Sequence, residues 1–277
     1  MKAATHYVIL RDDDTNALTP VSCLERLYRP FLAHDLAVNL AVIPEVRTGL
    51  KRPDGRREGF LFAAPSPGSG AETFPLAGNR ELTGYLRANP GLRLVQHGCY
   101  HDTFEFDRTD RTEVGARMER GAWRFVEAGF PAPKTFVAPH DRFSRTSMEE
   151  AARRFPVVST GWFDRRRLPL AWWPRYLAAK LHHAAHWRAG GACLLSHPGC
   201  LLSRERPHQN MLERVQAAVR SRRLTVLVTH WWEYFPDGRP DDAFIAILHA
   251  TAAWLANQPD VEVITFEDLA DGVVPLD

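Results

Sequence analysis

The sequence predicts an α/β fold with about seven or eight mostly parallel strands. Short apolar runs alternate with helix-like segments along the 277 residues, a pattern typical of parallel sheets. Polar clusters directly follow several of these runs, where strands should end. A hydrophobic content of 45% suffices for one large core. We therefore expect a single domain over residues 1–277.

The N-terminal third begins with a strand, a helix and a second strand. The apolar run at 7–10 predicts the first strand. A helix begins after Thr19-Pro20, because Thr is a good N-cap and Pro fits the first helical turn, and it extends to about residue 34. Residues 38–43 read as a strand. The Gly- and Pro-rich segment 45–77 predicts a long loop, of the kind that serves as a lid or binding loop.

The remaining chain continues the alternation of helices and strands. Helices are predicted at 79–88, 111–128, 147–154, 209–221 and 242–257. Strands are predicted at 92–96, 135–138, 157–160, 192–196, 224–229 and 261–265. No internal repeat and no clear linker interrupts this order.

Five polar segments follow strand-like runs directly, and their members are Asp12–Asp14, His97 with His101, Pro139-His140-Asp141, His197 in Ser196-His197-Pro198-Gly199, and Thr229-His230-Trp231. In parallel α/β folds the carboxyl ends of the strands form one face, and functional sites lie there. We therefore expect these five segments to converge on one rim of the barrel.

The residue types at this rim indicate a metal-dependent hydrolase. His97 and His101 lie four residues apart beside Gly98, and imidazole is the commonest protein ligand for zinc-like metals. Three adjacent carboxylates at 12–14 repel one another, so stability alone does not explain them. One Asp with two His leaves an open position for water on a divalent metal, most typically Zn²⁺, with Co²⁺, Ni²⁺ or Mn²⁺ as alternatives. A second Asp would then take a proton, and His230 would supply one to the leaving group.

The order of these motifs resembles the polysaccharide deacetylase family, the NodB-homology group of family 4 carbohydrate esterases. The matching segments, in chain order, are Arg11-Asp12-Asp13-Asp14, His97-x-x-x-His101, Phe136-Val137-Ala138-Pro139-His140 and Val226-Leu227-Val228-Thr229-His230. The resemblance implies a distorted (β/α) barrel that removes N- or O-acetyl or related acyl groups with a divalent metal. The expected substrate is an acylated sugar or a related small amide.

The resemblance also implies a role for each motif residue. Asp13 is the base, Asp14 binds the metal together with His97 and His101, and His230 is the acid. The pair Asp12-Asp13 satisfies the same pattern, which leaves the register of the carboxylates open. The other residues expected to line the substrate site are Arg11, Pro139, His140, Trp162, His197 and Trp231.

The chain departs from the family pattern in its third motif. Val137 stands where the family has an arginine that holds the base, and Arg11 or Arg142 are the candidates to replace it. The fourth motif is matched only loosely, by Gly161-Trp162-Phe163-Asp164. These departures keep two further hypotheses open, a hydrolase of non-sugar linear or cyclic amides and a catalytically silent carbohydrate-binding homologue.

Composition argues against several other classes of protein. A net charge of +2 gives no reason to expect nucleic-acid binding. No apolar run approaches the roughly 20 residues that span a bilayer, and no signal-like segment precedes residue 7, so we expect a cytoplasmic protein. The Trp-rich, basic segment 171–188 suggests contact with a membrane surface, although core packing explains its Trp residues better. No oligomeric state is indicated.

Two smaller sets of residues have simple interpretations. Cys23, Cys99, Cys193 and Cys200 are widely scattered, which indicates free thiols. His182 and His186 have the i,i+4 spacing of helical zinc sites, but no carboxylate accompanies them. We interpret this pair as part of a solvated helix face.

Overall fold

A curled and mostly parallel sheet runs through the protein, as seen in a computed structural model that describes residues 5–52, 54–62, 64, 72–274 and 276. The strand order is β10-β1-β2-β5-β6-β7-β9-β8, with β11 also paired to β1. Within this sheet, neighbouring strands are parallel except for the antiparallel pair β8–β9. Strands β3 and β4 form a separate two-stranded sheet. The strands are β1 His6–Thr15, β2 Val38–Val42, β3 Glu45–Arg47, β4 Thr73–Pro75, β5 Leu92–His97, β6 Thr135–Val137, β7 Val157–Thr160, β8 Trp187–Ala189, β9 Ala192–Ser196, β10 Leu224–His230 and β11 Val261–Val263.

Helices surround this sheet, and their apolar faces form the outer part of the core. They are α1 Val21–Ala33, α2 Arg80–Ala88, α3 Arg111–Glu127, α4 Arg145–Arg154, α5 Trp173–Leu181, α6 Met211–Arg220, α7 Asp242–Ala256 and α8 Phe266–Ala270. Leu24, Leu27 and Phe31 of α1 are fully buried, at the helical spacing of three to four residues. The same stripe pattern appears in α6 and α7. The helices thus bury one face against the sheet, as the periodicity predicts.

The register of the parallel strands brings several polar residues to one rim. Asp13 of β1 lies opposite His230 of β10, and His97 of β5 lies opposite Val137 of β6. Both strands of each pair run in the same direction, so their carboxyl ends meet at one face of the barrel. An isolated parallel bridge from Leu202 to Thr229 brings the chain after β9 next to β10. This rim carries the site described below.

The predicted α/β barrel with mostly parallel strands is confirmed, but the prediction for 45–77 needs correction. The segment contains the antiparallel pair β3–β4, in which Val46 lies opposite Phe74. Val46 and Phe60 are fully buried, so the segment packs on the main core instead of forming an open loop. Its Gly- and Pro-rich centre, 65–71, lies outside the described residues.

The predicted helix face with His182 and His186 is wrong, because α5 ends at Leu181. His186 is instead half-buried and contacts residues of two strands. Its Nε2 lies 2.9 Å from the carbonyl oxygen of Leu224, and its Nδ1 accepts from the backbone N–H of Ser196 at 3.3 Å. Trp187 is buried against Trp172 and Tyr176, which agrees with core packing of this segment.

Two predictions from composition have structural counterparts. Cys23, Cys99, Cys193 and Cys200 are free thiols, as the sequence predicted. Among the described residues, no helix combines the length and the apolar character that crossing a bilayer requires.

Asp110 caps α3, the helix that lies beside the loop carrying His101. Its carboxylate accepts from the backbone N–H groups of Thr112 at 2.9 Å and Glu113 at 3.1 Å. We expect Asp110→Ala to lower the free energy of unfolding by about 1 kcal/mol, the usual cost of losing a cap. Urea unfolding checks this, with Thr109→Ala as the control at the exposed neighbouring residue. Equal stability of the Asp110→Ala protein and the native protein would contradict the assignment.

Candidate metal centre and active site

A cleft of about 510 Å³ opens at the carboxyl ends of the parallel strands. Its floor comes from β1, β5 and β10, and its walls come from the loops that follow them. The lining residues are Arg11, Asp13, Asp14, Arg52, Glu58, His97, His101, Ala138, His140, Asp141, Cys200, Ser203, Glu205, Arg206, His230, Trp232 and Glu233. Most of these side chains are polar or charged, which is unusual for the interior end of a barrel and indicates a functional site.

A β-bulge at the end of β1 places two consecutive carboxylates in the cleft. The register with β2 shifts between Asp13 and Thr15, and Asp14 has a left-handed backbone with φ 75°. In a regular strand, neighbouring side chains point to opposite faces, so the bulge is what lets Asp13 and Asp14 share one face. Asp12 points away and is fully buried beside Tyr28, where burial raises the pKa of its carboxyl.

Arg11 holds Asp13 in a two-pronged ion pair. Arg11 Nε donates to Asp13 Oδ1 at 2.8 Å and Nη2 donates to Oδ2 at 2.6 Å. Both side chains lie on the same face because they are two residues apart on a strand. Arg11 Nη1 also donates to Ser159 Oγ at 3.0 Å. Burial would lower the pKa of Arg11, but Asp13 and Asp141 outweigh it and raise that pKa, so the guanidinium stays charged.

Asp141 and His197 extend this network behind Arg11. Asp141 Oδ1 lies 3.6 Å from Arg11 Nη2, and Asp141 Oδ2 lies 2.9 Å from His197 Nε2. Gly199 N–H donates to His197 Nδ1 at 3.1 Å, so Nε2 carries the ring proton and donates it to Asp141. Burial would raise the pKa of Asp141, but His197 and Arg11 lower it to about 2. Asp141 is therefore ionised and balances part of the Arg11 charge.

Asp14, His97 and His101 form a compact set of potential metal ligands. Asp14 Oδ1 lies 3.2 Å from His97 Nε2 and 3.1 Å from His101 Nε2. His97 Nδ1 lies 3.2 Å from the carbonyl oxygen of Val137 and donates to it, which leaves a lone pair on Nε2. Trp232 Nε1 donates to the other Asp14 oxygen at 2.8 Å. Burial alone would raise the pKa of Asp14, but the two imidazoles hold it well below its usual range.

These three residues fit a divalent metal of the zinc type. Their ligand atoms lie within 4.8 Å of one another, and all three side chains are buried. Asp14 Oδ1 is buried without a hydrogen-bond partner among the described residues, although a buried carboxylate oxygen normally has one. Two imidazole nitrogens and one carboxylate oxygen are the donor set of many catalytic zinc sites.

The turn that carries His101 is held by a buried glutamate. Glu105 Oε2 accepts from the backbone N–H groups of Cys99 at 3.1 Å and His101 at 3.0 Å. Gly98 starts this turn with φ 61°, and a Cβ there would lie 2.6 Å from both Glu105 Oε2 and Pro139 Cγ. Only glycine fits both the backbone and the space, which explains the glycine after His97.

His230 lies across the cleft and is paired with Glu233. His230 Nδ1 lies 2.9 Å from Glu233 Oε1. The second oxygen of Glu233 accepts from Ser203 Oγ at 2.7 Å and from the backbone N–H of Arg204 at 2.6 Å. Burial would lower the pKa of His230, but Glu233, with contributions from Cys200 and Asp14, raises it well above its usual value. His230 therefore carries a proton at neutral pH.

The structure places the predicted substrate-lining residues in different environments. Arg11 and His140 line the cleft, and His197 supports it from behind through Asp141. Pro139 is buried against Gly98 and Trp231 is fully buried in the core, so neither lines the cleft. Trp162 is exposed and also lies outside the lining. The neighbouring Trp232, and not Trp231, faces the site and reaches Asp14.

Sequence reasoning missed several residues of this site. Glu233 had a local signal, since it follows His230 by three residues, but Glu58 and Glu105 lie in segments with no regular pattern. Their importance comes only from tertiary contacts. Of the two arginines proposed to replace the missing one, Arg11 contacts Asp13, while Arg142 stacks over the ring of Phe104 at 4.7 Å.

Comparisons of the whole structure show what it resembles. A protein assigned as a polysaccharide deacetylase in Mycobacterium smegmatis aligns with a TM-score of 0.61 and 13% identity, over 99% of this chain and 92% of that one. A family 4 acetyl xylan esterase from Clostridium thermocellum, in complex with a cobalt ion, gives a TM-score of 0.55 and 13% identity, over 98% and 94%. This is the polysaccharide deacetylase fold.

The resemblance seen in the sequence motifs is thus confirmed at the level of the fold. No family model and no curated protein matches the sequence, so the likeness is one of structure. Proteins with the polysaccharide deacetylase fold include a family 4 pseudoenzyme from Bacillus anthracis, which aligns with a TM-score of 0.51 and 10% identity over 95% of this chain and 65% of its own. The fold by itself therefore does not establish catalysis.

The contribution of the buried Arg11–Asp13 ion pair to stability can be tested directly. Removing one partner of a buried ion pair leaves an uncompensated charge, at a cost of about 3–5 kcal/mol. We expect Arg11→Met to lower the free energy of unfolding by that amount. The double variant Arg11→Met with Asp13→Asn should recover part of the loss, because no buried charge remains on Asp13. Urea unfolding of the four proteins in a double-mutant cycle measures this, and strictly additive effects would contradict the pairing.

Proposed function

We propose that this protein is a metal-dependent hydrolase that removes an acyl group, most typically N-acetyl, from a sugar or a related small amide. The observation that carries this proposal is the convergence of Asp14, His97 and His101 on one point of the cleft. Asp13 and His230 lie on two sides of the same cleft, where a base and an acid are needed. The polysaccharide deacetylase fold of the chain supports the same chemistry.

Asp14, His97 and His101 would hold the metal, with Zn²⁺ as the expected ion and Co²⁺, Ni²⁺ and Mn²⁺ as alternatives. When bound, such a metal polarises the acyl carbonyl and makes water a stronger nucleophile at neutral pH. The protein fixes the ligands beforehand. The Val137 carbonyl orients His97, Trp232 orients Asp14, and Glu105 shapes the backbone at His101. Loss of such an outer contact commonly lowers metal affinity by roughly 10- to 100-fold.

Asp13 would take the proton from the attacking water. Each of its oxygens accepts one hydrogen bond from Arg11, and a carboxylate oxygen has a second lone pair, which is left for the water in the cleft. Arg11 fixes the plane of the carboxylate, so the base does not have to be ordered during the reaction. In this chain the arginine therefore comes from the strand that carries the base itself.

His230 would give its proton to the leaving amine or alcohol. A group that acts as an acid must be protonated before the reaction, and Glu233 secures this by stabilising the imidazolium form. Ser203 and the Arg204 N–H hold Glu233 in place through its other oxygen. The proposed acid and base thus have opposite environments. The imidazole of His230 lies beside the negative charge of Glu233, and the carboxylate of Asp13 lies beside the positive charge of Arg11.

The walls of the cleft favour a hydroxylated substrate. Arg52, Glu205 and Arg206 line it together with Ser203, and these side chains hydrogen-bond to hydroxyl groups. A sugar presents such groups around the acyl amide, whereas an apolar amide has no hydroxyl groups for these side chains.

The proposed base gives the most direct test of function. We expect the protein with Zn²⁺ or Co²⁺ to release acetate from N-acetylated sugars, and Asp13→Asn to lower kcat by about 10²–10⁴-fold, the usual contribution of a general base. Acetate release is measured across a panel of N-acetylated and O-acetylated sugars and small amides. Asp35→Asn, at an exposed residue after α1, is the control and should retain native activity.

Two results would overturn the proposal. The first is no acetate release by the native protein from any compound of the panel, which would favour a binding protein without catalysis. The second is native activity in the Asp13→Asn protein, which would show that another group acts as the base. Activity confined to the non-sugar amides would move the substrate class to the second hypothesis.

The His230–Glu233 pair predicts the pH dependence. Glu233 raises the pKa of His230, so the proton needed for catalysis is retained above neutral pH and lost as the pH rises further. Glu233→Gln removes the negative charge and keeps the shape. The alkaline limb of the kcat/KM profile should therefore move to lower pH, although Cys200 and Asp14 still act on His230. An unchanged alkaline limb in Glu233→Gln would refute the role of His230 as the acid.

A further inference from the structure

A second group of ligand atoms converges on the far side of His101. Glu58 Oε1 lies 3.9 Å from His101 Nδ1 and 3.7 Å from His140 Nε2. All three ligand atoms lie within 4.8 Å of one another. The group shares His101 with the Asp14, His97 and His101 set, but it uses the other ring nitrogen. It lies in the same cleft, since all three of its residues line the cavity.

Each of these three atoms is buried and has no hydrogen-bond partner among the described residues. Glu58 is 6% exposed and His101 is 4% exposed. A buried polar atom left without a partner costs about 1–3 kcal/mol, so three that face one another are not explained by stability. The distances from Glu58 to the two imidazoles are too long for hydrogen bonds. Three such atoms around one point can together contact a single cation.

The local structure brings the three side chains together at some cost to the backbone. Gly59, next to Glu58, lies against Trp232, where a Cβ would come within 2.3 Å of the indole ring. His140 has a left-handed backbone with φ 56°, which is uncommon for a residue other than glycine. The His140 ring packs edge-on against His101 at 4.8 Å and Phe104 at 5.7 Å. Such strain is tolerated mainly at functional sites.

We propose that Glu58, His101 and His140 form a second divalent-cation site, and that the imidazole of His101 is shared by the two sites. The ring nitrogens of an imidazole point in opposite directions, so one ring can contact a cation on each side. Occupation of both sides releases the proton that the ring otherwise carries, and that proton goes to solvent. Two imidazole nitrogens and one carboxylate oxygen select zinc-like transition metals over Mg²⁺ or Ca²⁺, which prefer oxygen ligands.

The chief competing explanation is that Glu58 only orients His101, as carboxylates beside metal-binding histidines often do. That explanation accounts for Glu58 and His101 but not for the unpartnered Nε2 of His140, which faces the same carboxylate oxygen. It also predicts a different number of bound ions. With orientation alone, the protein binds one cation. With a second site, it binds two.

The number of bound cations decides between the two. The full-length protein, stripped of metal with a chelator, is titrated with Co²⁺ and followed by visible absorption, and the Zn²⁺ content is measured after equilibrium dialysis. We expect two equivalents for the native protein and one each for His140→Ala and Glu58→Gln. Glu213→Gln and His182→Ala remove the same two functional groups from exposed positions away from the cleft and should still bind two.

One equivalent bound by the native protein would overturn the second site, as would two equivalents bound by His140→Ala. The native count needs no variant, so the test does not depend on the folding of a mutant protein. The second site goes beyond the proposed function, and the variant Asp14→Asn distinguishes the second site from the hydrolytic centre. Asp14→Asn should lose the cation of the hydrolytic centre and keep the one held by Glu58, His101 and His140. His140→Ala should do the reverse, losing the second cation and keeping the first.

Discussion

The bulge at the end of β1 is the constraint on which the rest of the site depends. A regular strand would send Asp13 and Asp14 to opposite faces of the sheet. The extra residue, with Asp14 at φ 75°, turns both carboxylates into the cleft while Asp12 stays in the core. The carboxylate of Asp13 then faces Arg11, and the carboxylate of Asp14 faces the imidazoles of His97 and His101. The two adjacent carboxylates, proposed as base and metal ligand, have different neighbours because of this local geometry.

The cleft contains several buried charged side chains, each of which would be costly to bury without a partner of opposite charge. Asp13 and Asp141 share Arg11, and Glu233 is matched by His230. The carboxylates of Asp14 and Glu58 face imidazoles, and the indole of Trp232 also reaches Asp14. A buried carboxylate faced by imidazoles is stabilised when a cation completes the set. The distribution of partners therefore marks out where cations would bind and where protein groups already balance one another.

His101 occupies the centre of this arrangement because both of its ring nitrogens face carboxylates. Its Nε2 is near Asp14 and its Nδ1 is near Glu58. The backbone there is held by Glu105, which is itself paired with Arg117 of α3 at 3.1 Å. Rigidity at His101 thus comes from a helix on the outside of the barrel, so α3 contributes to the site without contacting the cleft.

The sequence by itself determined the architecture and the chemical type of the site. Alternating strand and helix patterns predicted a parallel barrel, and polar residues after strand-like runs predicted which ends converge, because both signals are local. The carboxylates at 12–14, His97, His101 and His230 were predicted in this way as candidates for the site. The tertiary structure decided the partners. Asp14 meets both imidazoles through the bulge in β1, Trp232 reaches Asp14 from the segment after β10, and Glu58 comes from a segment predicted as a loop that packs on the core. None of these contacts has a periodic signature, because each joins residues far apart in the chain.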